Sequence, residues 1–496
     1  MATPLTSNDS RNVIQASRPR TATEVGRALE LACRAWILLT TCFLVGNGAI
    51  VLLLGSARLH DLVQEGPLSR LSLTLVSVAI AWLVVGAALF ALGNRALRER
   101  HWLTVLCAFF VLMLYANILR ERLAYADVRD YVLAAHDLAQ HTTLHARYLY
   151  PPFFATVLAA LLPLGDLSVE WICWAASMAA LGLFVVLLRS ALLRYGFGEW
   201  PSALATVAFA AINVPILRSL GYVQVNLHVV NMILIAILGY PRWPILSALA
   251  LALAVHIKAS PAVLALAFLI HRDGRWTGWF VAMLAALAAV TVLPFGWRPF
   301  VDVWHNVRHI YDANGIAFRE TSVDSFFRSW LGLMGQPLGH ATPVVVLVKL
   351  GIFAAVLATM ARAIKNHAFV SGDEPGATVL NAIPALLVFM LLASPLVWEH
   401  HPVMVALSYL LALKRVDTPA EYALYGLAYI LEYQLPTFDF FPWSFGRLLS
   451  PLILLGIMYA GSQRPCDGAL WRWVTAKLGG KATLQTGTDG RHLRVA

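Results

Sequence analysis

The feature that most constrains this chain is the recurrence of long apolar runs along almost its whole length. A helix that crosses a bilayer needs about 20 predominantly apolar residues, and such runs recur from Trp36 to Tyr459. The residues are 59% hydrophobic and only 13% charged, whereas soluble domains carry about 25% charged residues. We therefore predict an all-α polytopic membrane protein with about 12–14 transmembrane helices.

The predicted crossings are separated by short polar links. They cover residues 36–54, 71–92, 103–118, 171–188, 203–217, 227–238, 245–255, 261–270, 279–293, 344–360, 379–392, 403–413, 422–431 and 448–459. The segment Pro151–Leu164 begins with two prolines and is short for a crossing, so we predict a re-entrant or half-depth helix there. If that segment crosses instead, the basic links after it fall on the outer side.

Polar windows divide the chain into three predicted parts. Residues 1–30 are rich in Ser, Thr and Arg and lack the apolar core of a cleavable signal peptide, which predicts a disordered cytoplasmic tail. Residues 31–460 form the predicted transmembrane domain, and its outer loops at residues 120–152 and 298–341 are predicted to cap the active site. Residues 461–496 form a predicted basic cytoplasmic tail.

The formal net charge of +10 could indicate a nucleic-acid partner. The excess Lys and Arg lie instead in short links between apolar runs, the pattern that marks the cytoplasmic side of a membrane protein. We therefore predict no nucleic-acid partner, and both termini in the cytoplasm. The five cysteines form no Cys-x-x-Cys pair, so neither a metal site nor a disulfide framework is indicated.

A polar stretch over residues 124–152 interrupts the apolar runs after the third predicted crossing, on the predicted outer side. Apolar side chains recur there at helical spacing, at Val128, Tyr131, Val132, Ala135 and Leu138, with charged and polar side chains on the other face. This spacing predicts an amphipathic helix at the outer membrane interface.

Asp127, at the start of this helix, has two interpretations. It is either a helix N-cap, with Asp130 as an acid favoured by the helix dipole, or a carboxylate that removes a proton from an acceptor hydroxyl. The two are compatible, because a capped helix also holds the carboxylate in place. Asp130 is the second candidate for the base.

Basic residues at other outer positions are candidate ligands for an anion. Lys258 interrupts an apolar run, where a buried lysine is costly unless it is paired or hydrated. It either reaches out to the interface or binds a lipid phosphate. Arg319 and Arg328 lie in an outer loop against the positive-inside trend, which makes them candidates for binding anionic groups.

Two further polar clusters lie between predicted crossings. The run Trp398-Glu399-His400-His401 could indicate a metal, but adjacent helical residues point apart and no His-Glu-x-x-His spacing is present. Hydrogen bonds to a phosphate or a sugar, with Trp398 stacking, fit this run better. Gln224 and Asn226 either form a polar helix start or bind sugar hydroxyls.

Taken in order, these clusters resemble the family 87 glycosyltransferases, which are polyprenyl-phosphate-sugar-dependent mannosyltransferases of the C-type superfamily. The similar elements are Asp127-x-x-x-Tyr131, Tyr150-Pro151-Pro152, Gln224-x-Asn226, Lys258-x-Ser260-Pro261 with Arg272 and Arg275, Ser325 with Arg328, and Ser394-Pro-x-x-Trp398-Glu399-His400-His401. Two features depart from the pattern. Two additional apolar segments precede the first motif, and Tyr222-Val223 stands where the family tends to have Gly directly before Gln.

The resemblance implies the C-type glycosyltransferase fold in a bacterial plasma membrane, with the active site on the periplasmic or extracytoplasmic side. It implies inverting transfer of a sugar, with mannose favoured and arabinofuranose or another pentose possible, from a polyprenyl-phosphate donor to a glycolipid or glycan acceptor. Asp127 would be the general base. Lys258, Arg328, His400 and Arg319 would bind the donor phosphate, and Tyr131, Tyr150, Gln224, Asn226, Trp398, Glu399 and His401 would bind sugar or acceptor. No cofactor and no metal are expected.

Two alternatives stay open from the sequence. A transporter or flippase of a lipid-linked sugar would also place charges at membrane depth, although the polar clusters converge on one predicted side. A C-type transferase acting on protein hydroxyls or lipid A would usually carry a sizeable soluble domain after the helices, and the tail after residue 460 is short for one.

Overall fold

A computed structural model of the chain describes residues 126–211, 213–312, 321–333, 341–434, 445–464, 468 and 471–472. Within these residues the fold is entirely helical, with no strand. The predicted crossings at residues 36–54, 71–92 and 103–118, the tail at residues 1–30 and Arg319 lie outside the described residues.

Sixteen α-helices follow one another in the described ranges. They are α1 (Ala126–Ala139), α2 (Phe153–Ala159), α3 (Asp166–Arg194), α4 (Glu199–Ala211), α5 (Val214–Gly221), α6 (Asn226–Gly239), α7 (Pro244–Ile257), α8 (Ala265–Ile270), α9 (Gly274–Phe295), α10 (Arg298–Asp312), α11 (Val323–Leu333), α12 (Ala341–Lys365), α13 (Ala377–Ala393), α14 (Ala406–Leu413), α15 (Pro419–Tyr429) and α16 (Gly446–Gly461). Short 3₁₀ segments occupy Leu162–Leu164, Ser260–Leu264 and His401–Val405, and a π-helical turn spans Ile430–Gln434.

Three of the described helices are long and apolar enough to cross a membrane: α3, α9 and α12, the last counted from Thr342. The bent pair α4 and α5 would make a fourth. The other apolar helices are shorter, at 10–17 residues. The structure therefore fits a polytopic membrane protein, and the total of 12–14 crossings stays a prediction.

Local side-chain chemistry explains where several helices begin. Asn213 accepts a hydrogen bond from the backbone N–H of Ile216 (2.9 Å) before α5, and Asp273 accepts one from the N–H of Trp276 (2.9 Å) before α9. Thr418 and Glu421 form a reciprocal capping box at α15. These side chains satisfy N–H groups that a helix start leaves without a partner.

The main core surrounds α13, whose side chains are buried on every face, among them Leu380, Ile383 and Leu387. A helix that is apolar and buried all round is typical of the centre of a large bundle. Helices on the outside expose apolar side chains instead, such as Leu293 on α9 and Leu347 on α12. Such an apolar exterior is expected of a surface that faces lipid.

Several predicted basic links meet at one end of the bundle, which we call the basic end. Arg194, at the end of α3, donates a hydrogen bond to the carbonyl oxygen of Leu238 near the end of α6 (3.1 Å) and pairs with Glu374 before α13 (3.7 Å). Lys414, after α14, donates to the carbonyl oxygen of Tyr195 (3.0 Å). The helices α6, α13 and α14 therefore have their opposite ends at the other side of the bundle, which we call the polar end.

The segment Pro151–Leu164 begins and ends at the polar end. Before it, α1 contacts the start of α3 through His136 Nε2 and Asp166 Oδ1 (2.8 Å). The segment itself contains the seven-residue α2 and one 3₁₀ turn, too short to reach the basic end and return. The segment therefore starts and ends on the same side of the bundle, and its re-entry into the membrane stays a prediction.

The described residues of the predicted outer loop at 298–341 form two helices. These are α10 and α11, both amphipathic, with apolar residues spaced for one face of a helix. Asn306 on α10 donates hydrogen bonds to the carbonyl oxygens of His145 (2.9 Å) and Tyr148 (3.1 Å). The two segments that were predicted to cap the site are therefore in contact with each other.

Candidate functional site

The amphipathic helix predicted after residue 126 is confirmed as α1. Its apolar side chains Val128, Tyr131 and Leu138 are buried, and Arg129 is exposed. The buried face packs on α2 and on the segment that joins α5 to α6, in a second apolar cluster separate from the main core. This packing holds the first turn of α1 over the centre of the polar end.

Gln224 joins α1 to the start of α2. Its Oε1 atom accepts hydrogen bonds from the hydroxyls of Tyr131 (2.9 Å) and Tyr150 (3.0 Å), and the two tyrosine rings meet edge to face. Three residues predicted to bind sugar or acceptor are therefore in direct contact. Both tyrosine hydroxyls donate to the amide oxygen of Gln224. The amide nitrogen of Gln224 is therefore the atom that can form a hydrogen bond with a sugar hydroxyl.

The departure from the family pattern before Gln224 coincides with unusual backbone geometry. Val223 has φ +55°, in the left-handed region that glycine adopts freely and a β-branched residue rarely does. A glycine at this point of the family pattern would fit the same backbone without strain. The valine side chain is buried in the apolar cluster beneath α1, and burying it offsets part of that strain.

Lys258 lies at the end of α7, where the chain leaves the helix. Its Nζ atom donates a hydrogen bond to Oδ1 of Asn226 (2.9 Å) and lies 5.9 Å from the centre of the Tyr150 ring. Asn226 is the first residue of α6 and also donates to the carbonyl oxygen of His400 (3.4 Å). The ammonium group therefore lies between the start of α6 and the segment that contains Tyr150.

Asp127 is the second residue of α1, in the first turn rather than at the N-cap. Its carboxylate is partly buried and interacts electrostatically with Lys258. Burial, with a smaller contribution from Asp130, raises the pKa of Asp127 to about 7, against the lowering effect of Lys258. A carboxylate with a pKa near neutrality is well matched to the exchange of a proton with a hydroxyl.

Asp130, the second candidate for the base, is engaged elsewhere. Its Oδ1 atom pairs with Arg147 (3.0 Å) and lies 3.9 Å from Nε2 of His145. His145 also contacts Asp137 through Nδ1 (2.9 Å). This cluster joins α1 to the loop that follows it, so Asp130 has a structural partner. Among the described residues, Asp127 forms no hydrogen bond or ion pair of this kind.

The run Trp398–His401 lies between α13 and α14 at the polar end. His400 and His401 are buried and in edge-to-face contact, and the backbone N–H of Trp398 donates to Nδ1 of His401 (3.2 Å). Burial, and then the charge of Lys258, lower the pKa of His400 to about 3. A neutral imidazole can donate a hydrogen bond to a phosphate without adding a positive charge, and the assignment of His400 to the donor phosphate stays a prediction.

Glu399 is held between two arginines that lie outside the predicted motifs. It forms ion pairs with Arg218 on α5 and with Arg447 on α16 (3.2 Å), and all three side chains are largely buried. The sequence did contain a signal for this ion pair. Arg218 and Arg447 each lie beside an apolar run, where a charged side chain requires a partner of opposite charge. The role of Glu399 in binding a sugar stays a prediction, and its observed partners tie α5 and α16 to the polar end.

Replacing Glu399 with glutamine should destabilise the protein by about 3 kcal/mol, because it leaves two buried arginines without their counter-charge. The matched control is Asp166→Asn, which breaks the exposed contact with His136 and should cost less than about 1 kcal/mol. Unfolding in mixed detergent and SDS micelles measures both. Equal midpoints for the two variants would contradict the structural importance of the buried triad.

Arg328 and Ser325 lie on α11, which packs against α12. Ser325 is fully buried. Just before α11, Thr321 N–H donates to the carbonyl oxygen of Val397 (2.8 Å), which brings α11 to the run Trp398–His401. The assignment of Arg328 to the donor phosphate stays a prediction, as does that of Arg319.

The comparison with family models decides which family the protein belongs to. Glycosyltransferase family 87 matches residues 148–395, which is half of the chain. The chain belongs to glycosyltransferase family 87. The matched region contains Tyr150, Gln224, Asn226 and Lys258, whereas Asp127 lies before it and the run Trp398–His401 after it.

Curated relatives are similar over a comparable length. A polyprenol-phosphate-mannose-dependent alpha-(1-2)-phosphatidylinositol mannoside mannosyltransferase of Mycobacterium tuberculosis is 28% identical over 52% of this chain and 60% of its own length. A polyprenol-phosphate-mannose-dependent alpha-(1-2)-phosphatidylinositol pentamannoside mannosyltransferase of Mycolicibacterium smegmatis is 33% identical over 51% of this chain and 58% of its own.

The chain therefore spans about 60% of the length of the curated relatives that it matches. No solved structure matches it. The expected C-type fold stays a prediction. The comparisons do not favour the transporter or flippase alternative, because the family and both of these relatives are named as glycosyltransferases.

Proposed function

We propose that this protein transfers a sugar, with mannose favoured, from a polyprenyl-phosphate donor to a hydroxyl of a cell-envelope glycolipid or glycan. The reaction takes place on the outer face of a bacterial plasma membrane and inverts the anomeric centre. The observation that carries the proposal is that Asp127 and Lys258 lie near enough at the polar end to interact electrostatically, with Asn226 bonded to the ammonium group and in turn to His400. A base and a cation at one position suit displacement of a phosphate by a hydroxyl.

The proposed reaction is a single displacement. The acceptor oxygen attacks the anomeric carbon of the donor while the bond from that carbon to the phosphate oxygen breaks. The acceptor proton passes to the carboxylate of Asp127. The leaving polyprenyl phosphate takes the bonding electron pair, and Lys258 stabilises the charge that develops on it.

The neighbours of these two residues hold them in position. Asn226 accepts from the Lys258 ammonium group and keeps it from reaching the lipid interface. The packing of Tyr131 against Gln224 keeps α1, and with it Asp127, over the donor position. His400 donates a hydrogen bond to the phosphate as a neutral imidazole, and Arg328 supplies a second positive charge from α11.

The relatives' names guide the choice of acceptor. Because they are named for phosphatidylinositol mannoside acceptors, the first acceptor to test is a phosphatidylinositol mannoside. The panel should include other glycolipids and an envelope glycan.

The test uses the full-length protein in nanodiscs with synthetic polyprenyl-phosphate mannose and the acceptor panel. Release of polyprenyl phosphate together with a mannosylated product supports the proposal, and the anomeric configuration by NMR should be opposite to that of the donor. A nucleotide-mannose donor is the negative control. Absence of product with lipid-phosphate mannose and with lipid-phosphate pentoses, alongside lipid scrambling in vesicles, would refute transfer.

The pH dependence should report on Asp127. Because its pKa is raised to about 7, the carboxyl is protonated below that pH and cannot accept a proton. We expect kcat/KM to fall about tenfold per pH unit below about pH 7. Burial also lowers the pKa of Lys258 to about 7, so the rate should fall again at higher pH as the ammonium group loses its proton. Initial rates from pH 5 to pH 9 at constant ionic strength measure this, and a flat profile between pH 5 and pH 7 would exclude Asp127 as the base.

A further inference from the structure

A cavity of about 470 Å³ lies between α12 and α16, at the end of each helix. Its polar lining consists of Arg362, Lys365, Asn366, Tyr459 and Gln463, and alanines of α12 complete the wall. No acidic residue lines the cavity among the described residues. The cavity therefore carries a net positive charge.

The cavity is far from the candidate site. Lys349, near the start of α12, donates to the carbonyl oxygen of Ala393 at the polar end (3.2 Å). At a rise of 1.5 Å per residue, Arg362 lies about 20 Å from Lys349 along the axis of α12. On α16, Arg447 pairs with Glu399 at the polar end, whereas Tyr459 lies near the other end of the helix. The cavity thus opens at the basic end, at the opposite membrane interface.

Arg362 indicates which ligand chemistry suits the cavity. Its guanidinium group lies over the ring of Tyr459, with Cζ 4.1 Å from the ring centre. Its Nη1 atom is buried and has no hydrogen-bond partner among the described residues. A buried charged donor without an acceptor is unfavourable. The planar guanidinium fork matches the oxygens of a phosphate.

The surface that leads to the cavity suits an acyl chain. On α12 the exposed residues towards the cavity are small: Gly351, Ala354, Ala355, Ala358 and Ala361. On α16, Gly456 is exposed, and a side chain added there or at Gly351 would meet open space. The two helices are in contact, and these small exposed residues leave space for an acyl chain along them, beside the basic cavity.

We propose that this cavity binds the phosphate group of an anionic membrane lipid, with an acyl chain of the lipid lying in the groove between α12 and α16. Arg362 contributes the fork, and Lys365 adds a second charge at the rim. A free phosphate would use the same pocket but not the groove. A basic pocket between membrane helices is a recurrent site for anionic lipid headgroups. The proposal does not depend on the transferase reaction.

The test uses full-length protein purified in a neutral detergent and stripped of lipid. Native mass spectrometry and thermal unfolding compare phosphatidylglycerol with phosphatidylcholine of identical acyl chains, and with inorganic phosphate. We expect phosphatidylglycerol to bind about tenfold more tightly than phosphatidylcholine and to raise the unfolding midpoint. Arg362→Gln should remove this preference. Lys365→Gln, at an exposed position, should weaken it several-fold and serves if Arg362→Gln fails to fold.

The matched control is Arg242→Gln, which removes the same charge from an exposed link at the basic end and should leave the preference intact. Equal binding of the two lipids by the wild-type protein would overturn the proposal. So would an equal loss in Arg242→Gln, since that would reflect overall charge. Full stabilisation by inorganic phosphate alone would identify a soluble anion as the ligand and overturn the assignment to a lipid.

Discussion

Asp127→Asn should lower kcat roughly 10²–10⁴-fold, the range that a positioned general base contributes. The substitution keeps the size of the side chain but removes its ability to take a proton from the acceptor. Asp127 lies in the first turn of a helix whose other face is buried, so the variant should fold as the wild type does. Initial rates at saturating donor and acceptor measure the loss, with product quantified directly.

Asp130→Asn is the control for this experiment, because it changes the neighbouring acid on the same helix. Asp130 pairs with Arg147 and lies near His145, so its loss should loosen the loop after α1 and reduce kcat less than about tenfold. If Asp130→Asn were the more damaging substitution, the base would have to be reassigned. A rate for Asp127→Asn within threefold of wild type would reduce Asp127 to a helix-start residue and move the search to Asp130 or Glu399.

Lys258→Met should lower kcat by about 10²–10³-fold, comparable to the loss of one donor that stabilises developing charge. Methionine has a similar length and no charge, so the leaving phosphate would lose its cation while the packing changes little. Because Lys258 also raises the ionised fraction of Asp127, its removal should shift the acidic limb of the pH profile to higher pH. The measurements are kcat, KM for the lipid donor and the position of that limb.

Two variants separate the chemical role of Lys258 from a structural one. Lys258→Arg keeps the charge and should retain part of the activity, although its planar group cannot reproduce the contact with Asn226. Lys349→Met removes another partly buried lysine, the partner of Asp324, and should lower stability without moving the acidic limb. If Lys258→Met kept kcat within threefold of wild type, Lys258 would simply extend to the interface and not bind the phosphate.

The sequence alone predicts the helices of this protein better than it predicts the contacts within the candidate site. The spacing of Val128, Tyr131 and Leu138 predicts α1 correctly, because a helix places residues three and four apart on one face whatever the rest of the chain does. The two prolines at Pro151 and the short apolar run after them predict a short helix rather than a full-length one for a similarly local reason, and α2 has seven residues. Apolar length alone likewise predicts α3, α9 and α12 as membrane-capable helices.

Local patterns do not decide between two interpretations of the same residue. Glu399 could bind a sugar or pair with a charge, and only its position between Arg218 and Arg447 shows that it has two partners in the folded protein. A histidine in a sequence can be charged or neutral, and only the burial of His400 beside Lys258, which lowers its pKa to about 3, favours the neutral form. The outer loop after Arg298 was predicted only as a link between crossings, and the structure shows that it contains α10 and α11.

The sequence by itself determined the helical, membrane-type character of this protein, its amphipathic α1 and the set of polar clusters from which a site could be built. Only the tertiary structure decided which members of those clusters meet. Asp127 and Lys258 are far apart in the chain, and their approach depends on how α1, α6 and α7 pack. Helix periodicity is a short-range property of the backbone, whereas the distance between two helix ends depends on the packing of every side chain between them.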